Sequence, residues 1–166
     1  MNIKKMIQDM TLEEKASLCS GADFWHTEAV DRVGLKSIMV SDGPYGLRKQ
    51  EEVGNNMGWA ESILAVGFPT ASSMASSFDR DLVREVGNAL GEECQAEDVA
   101  VLLGPGINMK RSPLGGRNFE YYSEDPYVAG EIGAAFVNGV QEKNVGTSLK
   151  HFAANNQETR RLTINA

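Results

Sequence analysis

The sequence predicts an α/β fold with mostly parallel strands. Short apolar runs alternate with longer segments in which apolar residues recur at helical spacing, the pattern of βα units. One of these runs, residues 99–103, is apolar throughout, which is typical of a parallel strand buried on both faces. The length of 166 residues suits one ordinary domain.

The first elements are predicted from a helix cap and a turn. Thr11 and Glu14 have the spacing of a capping box, which predicts a helix that runs to about Cys19. The apolar run at residues 38–40 leads into the turn-forming sequence Ser-Asp-Gly-Pro, and this predicts a buried strand. Residues 49–67 are polar and aperiodic, so we expect a long loop.

The middle of the chain is predicted to form two strands around a long helix. Residues 68–70, with the small residues after them, are interpreted as a second strand, and residues 99–103 as a third. The helix between them spans residues 79–97. Its apolar stripe consists of Leu82, Val83, Val86 and Leu90.

A second long helix and a last strand complete the pattern. Asp125 is a candidate N-cap, and Pro126 suits the first helical position. The stripe of this helix consists of Val128, Ile132, Ala135, Phe136 and Val140. Residues 146–152 are predicted to form the last strand.

Polar residues of chemical interest follow the predicted strand ends. They are Asp42, the loop 104–117, and the adjacent pair Lys150 and His151. Because the carboxyl ends of parallel strands meet at one edge, where α/β proteins bind ligands, we expect these residues to converge. Adjacent residues on a regular strand point to opposite faces, so Lys150 and His151 can reach one site only if the backbone departs from that geometry.

Composition and charge argue against several functions. The chain has 16 basic and 23 acidic residues, a net charge of −7, and no long basic cluster, so no nucleic-acid partner is expected. No apolar stretch approaches the ~20 residues of a membrane helix and no signal-peptide pattern is visible, so we expect a cytoplasmic protein without membrane contact. Cys19 and Cys94 lie outside any metal-site or disulfide pattern. The loop beginning at Gly104 lacks the third glycine of a dinucleotide site.

Four segments, in order along the chain, resemble the N-terminal domain of family-three glycoside hydrolases, and its β-glucosidases in particular. They are residues 41–48 (SDGPYGLR), 102–108 (LLGPGIN), 116–126 (GRNFEYYSEDP) and 150–159 (KHFAANNQET). The resemblance implies the N-terminal half of a (β/α)8 TIM-like barrel. A complete barrel takes about 250 residues, so we expect residues 1–166 to be one part of the barrel domain, with its remainder and a second α/β domain outside this chain.

The resemblance also implies a sugar-binding site. It implies that Asp42 accepts hydrogen bonds from sugar hydroxyls. The donors that it implies around the same ring are Arg48, Arg117, Lys150, His151 and Arg161. These residue types suit a sugar, because a carboxylate and several cationic donors recognise fixed hydroxyl pairs through charge-assisted hydrogen bonds.

The catalytic carboxyl groups are expected elsewhere. Retaining glycosidases use two carboxyl groups about 5–5.5 Å apart. In the family, the nucleophile is an Asp in a Ser-Asp-Trp motif on a later strand, and the acid/base residue comes from the second domain. The single Ser-Asp pair of this sequence, Ser41–Asp42, matches the sugar-binding position instead. No catalytic residue is assigned, and the chain alone is expected to be inactive.

The resulting prediction is a retaining exo-β-glucosidase to which this chain contributes the glucose-binding −1 subsite. Its substrate would be a β-glucoside or a cello- or gluco-oligosaccharide, with no metal or cofactor. The alternatives are a non-catalytic carbohydrate-binding module or pseudoenzyme, and a β-xylosidase of the same family.

Two further expectations concern the last predicted strand. Members of the family are noted for non-proline cis peptides in the Lys-His-Phe sequence, so we expect a cis or distorted peptide within residues 150–152. The strand at 146–152 should also lack a barrel neighbour, and an open strand edge promotes association. We therefore expect self-association or pairing with a complementary C-terminal fragment.

Overall fold

A computed structural model describes residues 2–50 and 61–164. Within these residues a parallel sheet contains three strands, β1 (Val40–Ser41), β2 (Val101–Leu102) and β3 (Gly146–Thr147), in that spatial order. Val40 lies opposite Val101, which lies opposite Gly146. Strands that are consecutive along the chain are neighbours in the sheet, as in a barrel of βα units. The predicted α/β class with parallel strands is confirmed.

Helices connect and flank these strands. Those of the described residues are α1 (Ile3–Asp9), α2 (Leu12–Ser17), α3 (Ala71–Ala75), α4 (Arg80–Ala96) and α5 (Pro126–Glu142), with single 3-10 turns at Asp31–Val33 and Asn118–Glu120. In the part of the chain described, no helix has both the length and the apolar character needed to cross a membrane.

The predicted N-cap of α5 is confirmed, and α4 has an N-cap of the same kind. The carboxylate of Asp79 accepts the amide N–H groups of the first turn of α4, at 3.0 Å from Asp81 and Leu82. The carboxylate of Asp125 does the same for α5, at 2.7 Å from the amide of Tyr127. Each carboxylate satisfies amides that have no partner inside the helix and lies at the positive end of the helix dipole.

Helices α4 and α5 pack against each other at close range. A Cβ at Gly87 would lie 2.6 Å from the carbonyl oxygen of Phe136, and one at Gly139 would overlap the carbonyl oxygen of Arg84. The side chains of Leu90 and Phe136 are fully buried. They share a core with Leu102 of β2, so the helix pair and the sheet form one apolar unit.

The buried face of α4 differs in part from its predicted stripe. Val83 and Leu90 are fully buried as predicted, whereas Leu82 is 44% exposed. The side of α4 that carries Gly87 and Cys94 faces α5, because Gly87 has no side chain and so allows the two helices to approach closely. On α5, Ile132, Ala135, Phe136 and Val140 are buried as predicted, and Val128 is half-buried.

The N-terminal capping box is confirmed. The hydroxyl of Thr11 accepts the amide of Glu14 at 3.2 Å, and the carboxylate of Glu14 accepts the amide of Thr11 at 2.8 Å. Helix α2 ends at Ser17, two residues before the predicted end. Helix α1, which the sequence analysis did not predict, is a short helix with no buried residue.

The predicted strand near residues 68–70 is wrong. The chain there leads into helix α3, whose N-cap hydroxyl, that of Thr70, accepts the amide of Ser73. Ala71, Met74 and Ala75 are buried at helical spacing, and small side chains allow this turn to enter the core. Of the loop predicted at 49–67, residues 51–60 lie outside the described residues.

The last strand is shorter than predicted. β3 ends at Thr147, and Lys150 then forms an isolated parallel bridge with Gly106. The peptide between Lys150 and His151 is cis, as expected, and so is the peptide between Phe152 and Ala153.

Candidate functional site

The candidate site lies at the edge of the sheet where the strands end. Asp42 directly follows β1, and Lys150 and His151 follow β3. Backbone hydrogen bonds hold Lys150 to the loop after β2. The N–H of Lys150 donates to the carbonyl of Pro105 at 3.1 Å, and the carbonyl of Lys150 accepts the N–H of Ile107 at 2.8 Å. This edge is where α/β proteins bind ligands.

Two carboxylates and two cations alternate in this site. The ammonium of Lys150 lies 2.8 Å from Oδ1 of Asp42 and 3.3 Å from Oε1 of Glu120. The guanidinium of Arg117 donates from Nε and Nη2 to the two oxygens of Glu120, at 2.5 and 2.6 Å. These bonds join three loops into one network of opposite charges, in which the Arg117 contact is bidentate.

His151 extends the network on its other side. Its Nε2 lies 3.0 Å from Nη2 of Arg117, and its Nδ1 lies 2.9 Å from the hydroxyl of Tyr121. The amide of Asn155 donates to the same hydroxyl at 2.7 Å. The side chain of Asn108 contacts the backbone of His151 twice, accepting its N–H at 2.7 Å and donating to its C=O at 3.1 Å. Both the ring and the backbone of His151 are therefore held in place.

The ionisable groups of the network have perturbed pKa values. Burial alone would raise the pKa of Asp42, but the hydrogen bond and charge of Lys150 outweigh it and lower the pKa. Burial opposes ionisation of Glu120 as well, and Arg117 and Lys150 together lower the pKa of that carboxyl. Burial, reinforced by the charge of Arg117, lowers the pKa of His151. At neutral pH the site thus holds two carboxylates and a neutral imidazole.

The structure brings together four of the six predicted sugar-binding residues. Asp42, Arg117, Lys150 and His151 belong to the network just described. Arg48 and Arg161 flank it. Arg48 is exposed; its amide donates to the carbonyl of Asp42 at 3.0 Å, and its positive charge acts on the Asp42 carboxylate. Arg161 is exposed and pairs with Glu158 at 3.3 Å.

Glu120, Tyr121 and Asn108 belong to the network but were not predicted from the sequence as site residues. Glu120 lies three residues after Arg117, and the 3-10 turn Asn118–Glu120 brings the two side chains together. Its side chain is only 8% exposed. The one available signal was its place within a motif segment, because an acidic residue in a loop carries no local sign of burial.

A cleft of about 510 Å³ borders the network. Its wall includes Asn108, Lys150 and His151, together with the apolar Ile107 and Leu149. The wall of the cleft thus combines hydrogen-bonding groups with apolar side chains, a combination common in ligand sites. Among the described residues, no three His, Cys, Asp or Glu side chains are grouped so as to hold a metal ion.

The fold and the candidate site together define a class: an α/β protein of barrel type with a charged and hydroxyl-bearing candidate ligand site at the carboxyl ends of its strands. Within this class the chain belongs to glycoside hydrolase family 3, because the family's model, described as the Glycosyl hydrolase family 3 N terminal domain, matches residues 32–161.

Curated relatives of known name are similar over nearly the whole chain. Thermostable beta-glucosidase B of Acetivibrio thermocellus is 61% identical over 164 residues, which are 99% of this chain and 22% of that protein. An Exo-alpha-(1->6)-L-arabinopyranosidase of Bifidobacterium longum is 55% identical over 161 residues, 96% of this chain and 21% of that protein. The chain therefore spans about a fifth of the length of these relatives.

Solved structures agree with this assignment. A family 3 beta-glucosidase of Bifidobacterium adolescentis superimposes with a TM-score of 0.82 at 54% identity, covering 94% of this chain and 22% of that one. Beta-glucosidase 3B of Thermotoga neapolitana, in complex with glucose, superimposes with a TM-score of 0.85 at 40% identity, covering 99% of this chain and 25% of that one.

Proposed function

We propose that the chain forms much of the −1 subsite of a retaining exo-β-glucosidase, and that this subsite binds the terminal glucosyl residue of a β-glucoside or a gluco-oligosaccharide. The observation that carries the proposal is the contact between Asp42 and Lys150. These residues are 108 positions apart in sequence and 2.8 Å apart in space, and they lie beside Arg117 and His151.

The charge balance of the site favours a neutral ligand with many hydroxyls. The two carboxylates and two cations of the network neutralise each other, so no unpaired charge in it calls for an ionic ligand. The side chain of Asp42 is 34% exposed and remains open to a ligand as an acceptor. Sugar hydroxyls donate and accept at fixed angles, and a rigid set of charged acceptors and donors can recognise them.

Arg48 and Arg161 complete the proposed subsite from its rim. Both side chains are exposed, and the charge of Arg48 already acts on Asp42. The nucleophile and the acid/base carboxyl group are proposed to come from outside these residues, because no Ser-Asp-Trp sequence occurs in the chain. The chain alone would then bind sugar without hydrolysing a glycoside.

A second candidate activity is cleavage of α-L-arabinopyranosides. Relatives with that name are 55% and 53% identical to the chain, only slightly less than the beta-glucosidase at 61%. Because relatives of both names are similar to the chain to nearly the same degree, the preference between glucose and L-arabinose is best tested directly.

The test is titration of the 166-residue chain with glucose, L-arabinose and xylose, followed by calorimetry and amide NMR. Glucose binding with shifts at Asp42, Lys150 and His151 supports the proposal, and Asp42→Asn should weaken it by at least about tenfold, as loss of a charged acceptor predicts. The control Asp98→Asn changes the same charge at an exposed position and should bind like the parent chain. Tighter binding of L-arabinose favours the second candidate, and the absence of binding to all three sugars contradicts both.

A chromogenic β-glucoside tests the catalytic part of the proposal. The chain alone should show no turnover, because it lacks a nucleophile. Turnover that disappears in Asp42→Ala would show that the assignment of Asp42 as a binding residue is wrong.

A further inference from the structure

Glu120 occupies the centre of the charge network, although its place within a motif segment was its one signal in the sequence. Its side chain is 8% exposed, and both of its oxygens accept hydrogen bonds from Arg117. Oε1 is shared, since the ammonium of Lys150 lies 3.3 Å from it. The backbone carbonyl of Glu120 also accepts the hydroxyl of Tyr45 at 2.7 Å, so the residue is held by both its backbone and its side chain.

We infer that Glu120 is a positioning residue that holds Arg117 and Lys150 side by side and, through Arg117, fixes the proton of His151 on Nδ1. The inference rests on the proposed function for its biological purpose, but the arrangement itself can be tested without a sugar.

Opposite charge explains how Glu120 holds Arg117 and Lys150 side by side. Arg117 and Lys150 contact the same oxygen of Glu120, so two cations are neighbours in a partly buried place. Without the carboxylate they would repel each other, and among the described residues Asp42 would be the remaining ion-pair partner of Lys150. Asp42 would then interact more strongly with Lys150 and would be less available to a ligand. The carboxylate of Glu120 therefore leaves Asp42 free to serve two partners.

The position of the proton on His151 follows from which of its neighbours can donate and which can accept a hydrogen bond. A guanidinium has only donors, so the Nε2 of His151, 3.0 Å from Nη2 of Arg117, must be the acceptor in that bond. A neutral imidazole then carries its proton on Nδ1, which donates to the hydroxyl of Tyr121. The bidentate contact with Glu120 fixes the direction of the Arg117 nitrogen, and hence the tautomer of His151.

The variant that tests this is Glu120→Gln, which keeps the shape of the side chain. A Gln amide has one acceptor oxygen and one donor nitrogen, so it cannot accept both nitrogens of Arg117. The matched control is Glu131→Gln, which removes the same charge from an exposed pair with Arg80 on the surface. The chain has two histidines, and a His26→Asn background leaves His151 as the single imidazole.

The readout is the pair of imidazole ¹⁵N shifts of His151, recorded by long-range ¹H–¹⁵N correlation at neutral pH. In the parent chain and in Glu131→Gln, Nδ1 should give the shift of a protonated nitrogen and Nε2 that of an unprotonated one. In Glu120→Gln, a measurable share of the Nε2-protonated form should appear. A protonated Nε2 in the parent chain would overturn the inference, and this measurement does not depend on how well any Glu120 variant folds.

Glucose titration of the same proteins separates this inference from the proposed function. We expect Glu120→Gln to raise the dissociation constant about tenfold or more and Glu131→Gln to leave it unchanged. Unchanged shifts and unchanged affinity in Glu120→Gln would overturn the positioning role while the proposed function stands. A tautomer change in a protein that binds no glucose would support the positioning role and contradict the proposed function.

Discussion

The helix pair and the site segment of this molecule are stabilised in different ways. The helix pair is α4 with α5, and the site segment is residues 150–164. Phe136 in the helix pair is fully buried, whereas Phe152 in the site segment is fully exposed, at 103%. The helix pair packs through apolar side chains and two glycines, while the site segment is held by hydrogen bonds to Asn108, Arg117 and Tyr121.

This difference separates stability from positioning. Apolar burial is large in free energy and non-directional, so the helix pair can stabilise the scaffold without placing any atom precisely. Polar contacts contribute little net free energy each, but they fix distances and angles. The site segment can therefore hold the atoms of the candidate site in place while adding little to the stability of the whole chain.

The largest expected difference comes from replacing a phenylalanine with alanine in the helix pair and in the site segment. Phe136→Ala should lower the free energy of unfolding by about 3–5 kcal/mol, because it opens a cavity in the core. Phe152→Ala should change it by less than about 0.5 kcal/mol, because the side chain contacts solvent. Urea unfolding followed by circular dichroism measures both. Equal losses would show that the site segment packs as tightly as the helix pair.

A smaller effect is expected at the contact between the helices. Gly139→Ala should destabilise the chain by about 1–3 kcal/mol, because the added methyl group overlaps the carbonyl oxygen of Arg84. The control is Gly130→Ala in the same helix, where nothing lies within 4 Å of the added Cβ. It should stabilise the chain by about 0.5–1 kcal/mol through helix propensity. A neutral Gly139→Ala would mean that the two helices can separate without loss.

In the site segment, the contact of Asn108 with His151 should have a local effect. Asn108→Ala removes two hydrogen bonds to the His151 backbone and should cost about 1 kcal/mol. Hydrogen exchange should therefore quicken at the amide of His151 and stay unchanged at Leu90 and Phe136. Faster exchange in the helices as well would show that the two regions unfold together.

Acidification should loosen the site segment before the helix pair. The pKa values of His151, Glu120 and Asp42 are all lowered in the folded chain from ordinary values of 6.5, 4.5 and 3.8. The unfolded chain therefore binds more protons as the pH falls, and the stability from these groups is complete above about pH 6.5 and declines below it, first through His151 and then through the carboxyl groups. Exchange at the His151 amide, measured from pH 7 to pH 4 and corrected for its intrinsic rate, should reveal the loss. Equal loss of protection at Phe136 would contradict a separate site segment.

Features that depend on neighbours along the chain could be predicted from the sequence. Asp125 and Thr11 cap helices as predicted, since each bond joins residues at most three positions apart. The alternation of apolar runs and helical stripes likewise predicted a parallel α/β fold. The strand predicted from local sequence at residues 68–70 was wrong. Small residues there suit either a strand or a buried helix, and packing decides which one forms.

The candidate site shows more clearly the difference between features that depend on chain neighbours and features that depend on packing. The sequence by itself determined the N-caps of α2 and α5, the alternation of strands with the two long helices and, through four motif segments, the family and six candidate ligand-binding residues. Only the tertiary structure decided that Glu120 lies between Arg117 and Lys150, that Nε2 of His151 faces the guanidinium of Arg117, and that Leu82 faces solvent. Each of these depends on which distant segment is packed nearby. A residue's local sequence limits its own conformation, but its partners across the fold are chosen by the packing of the whole chain.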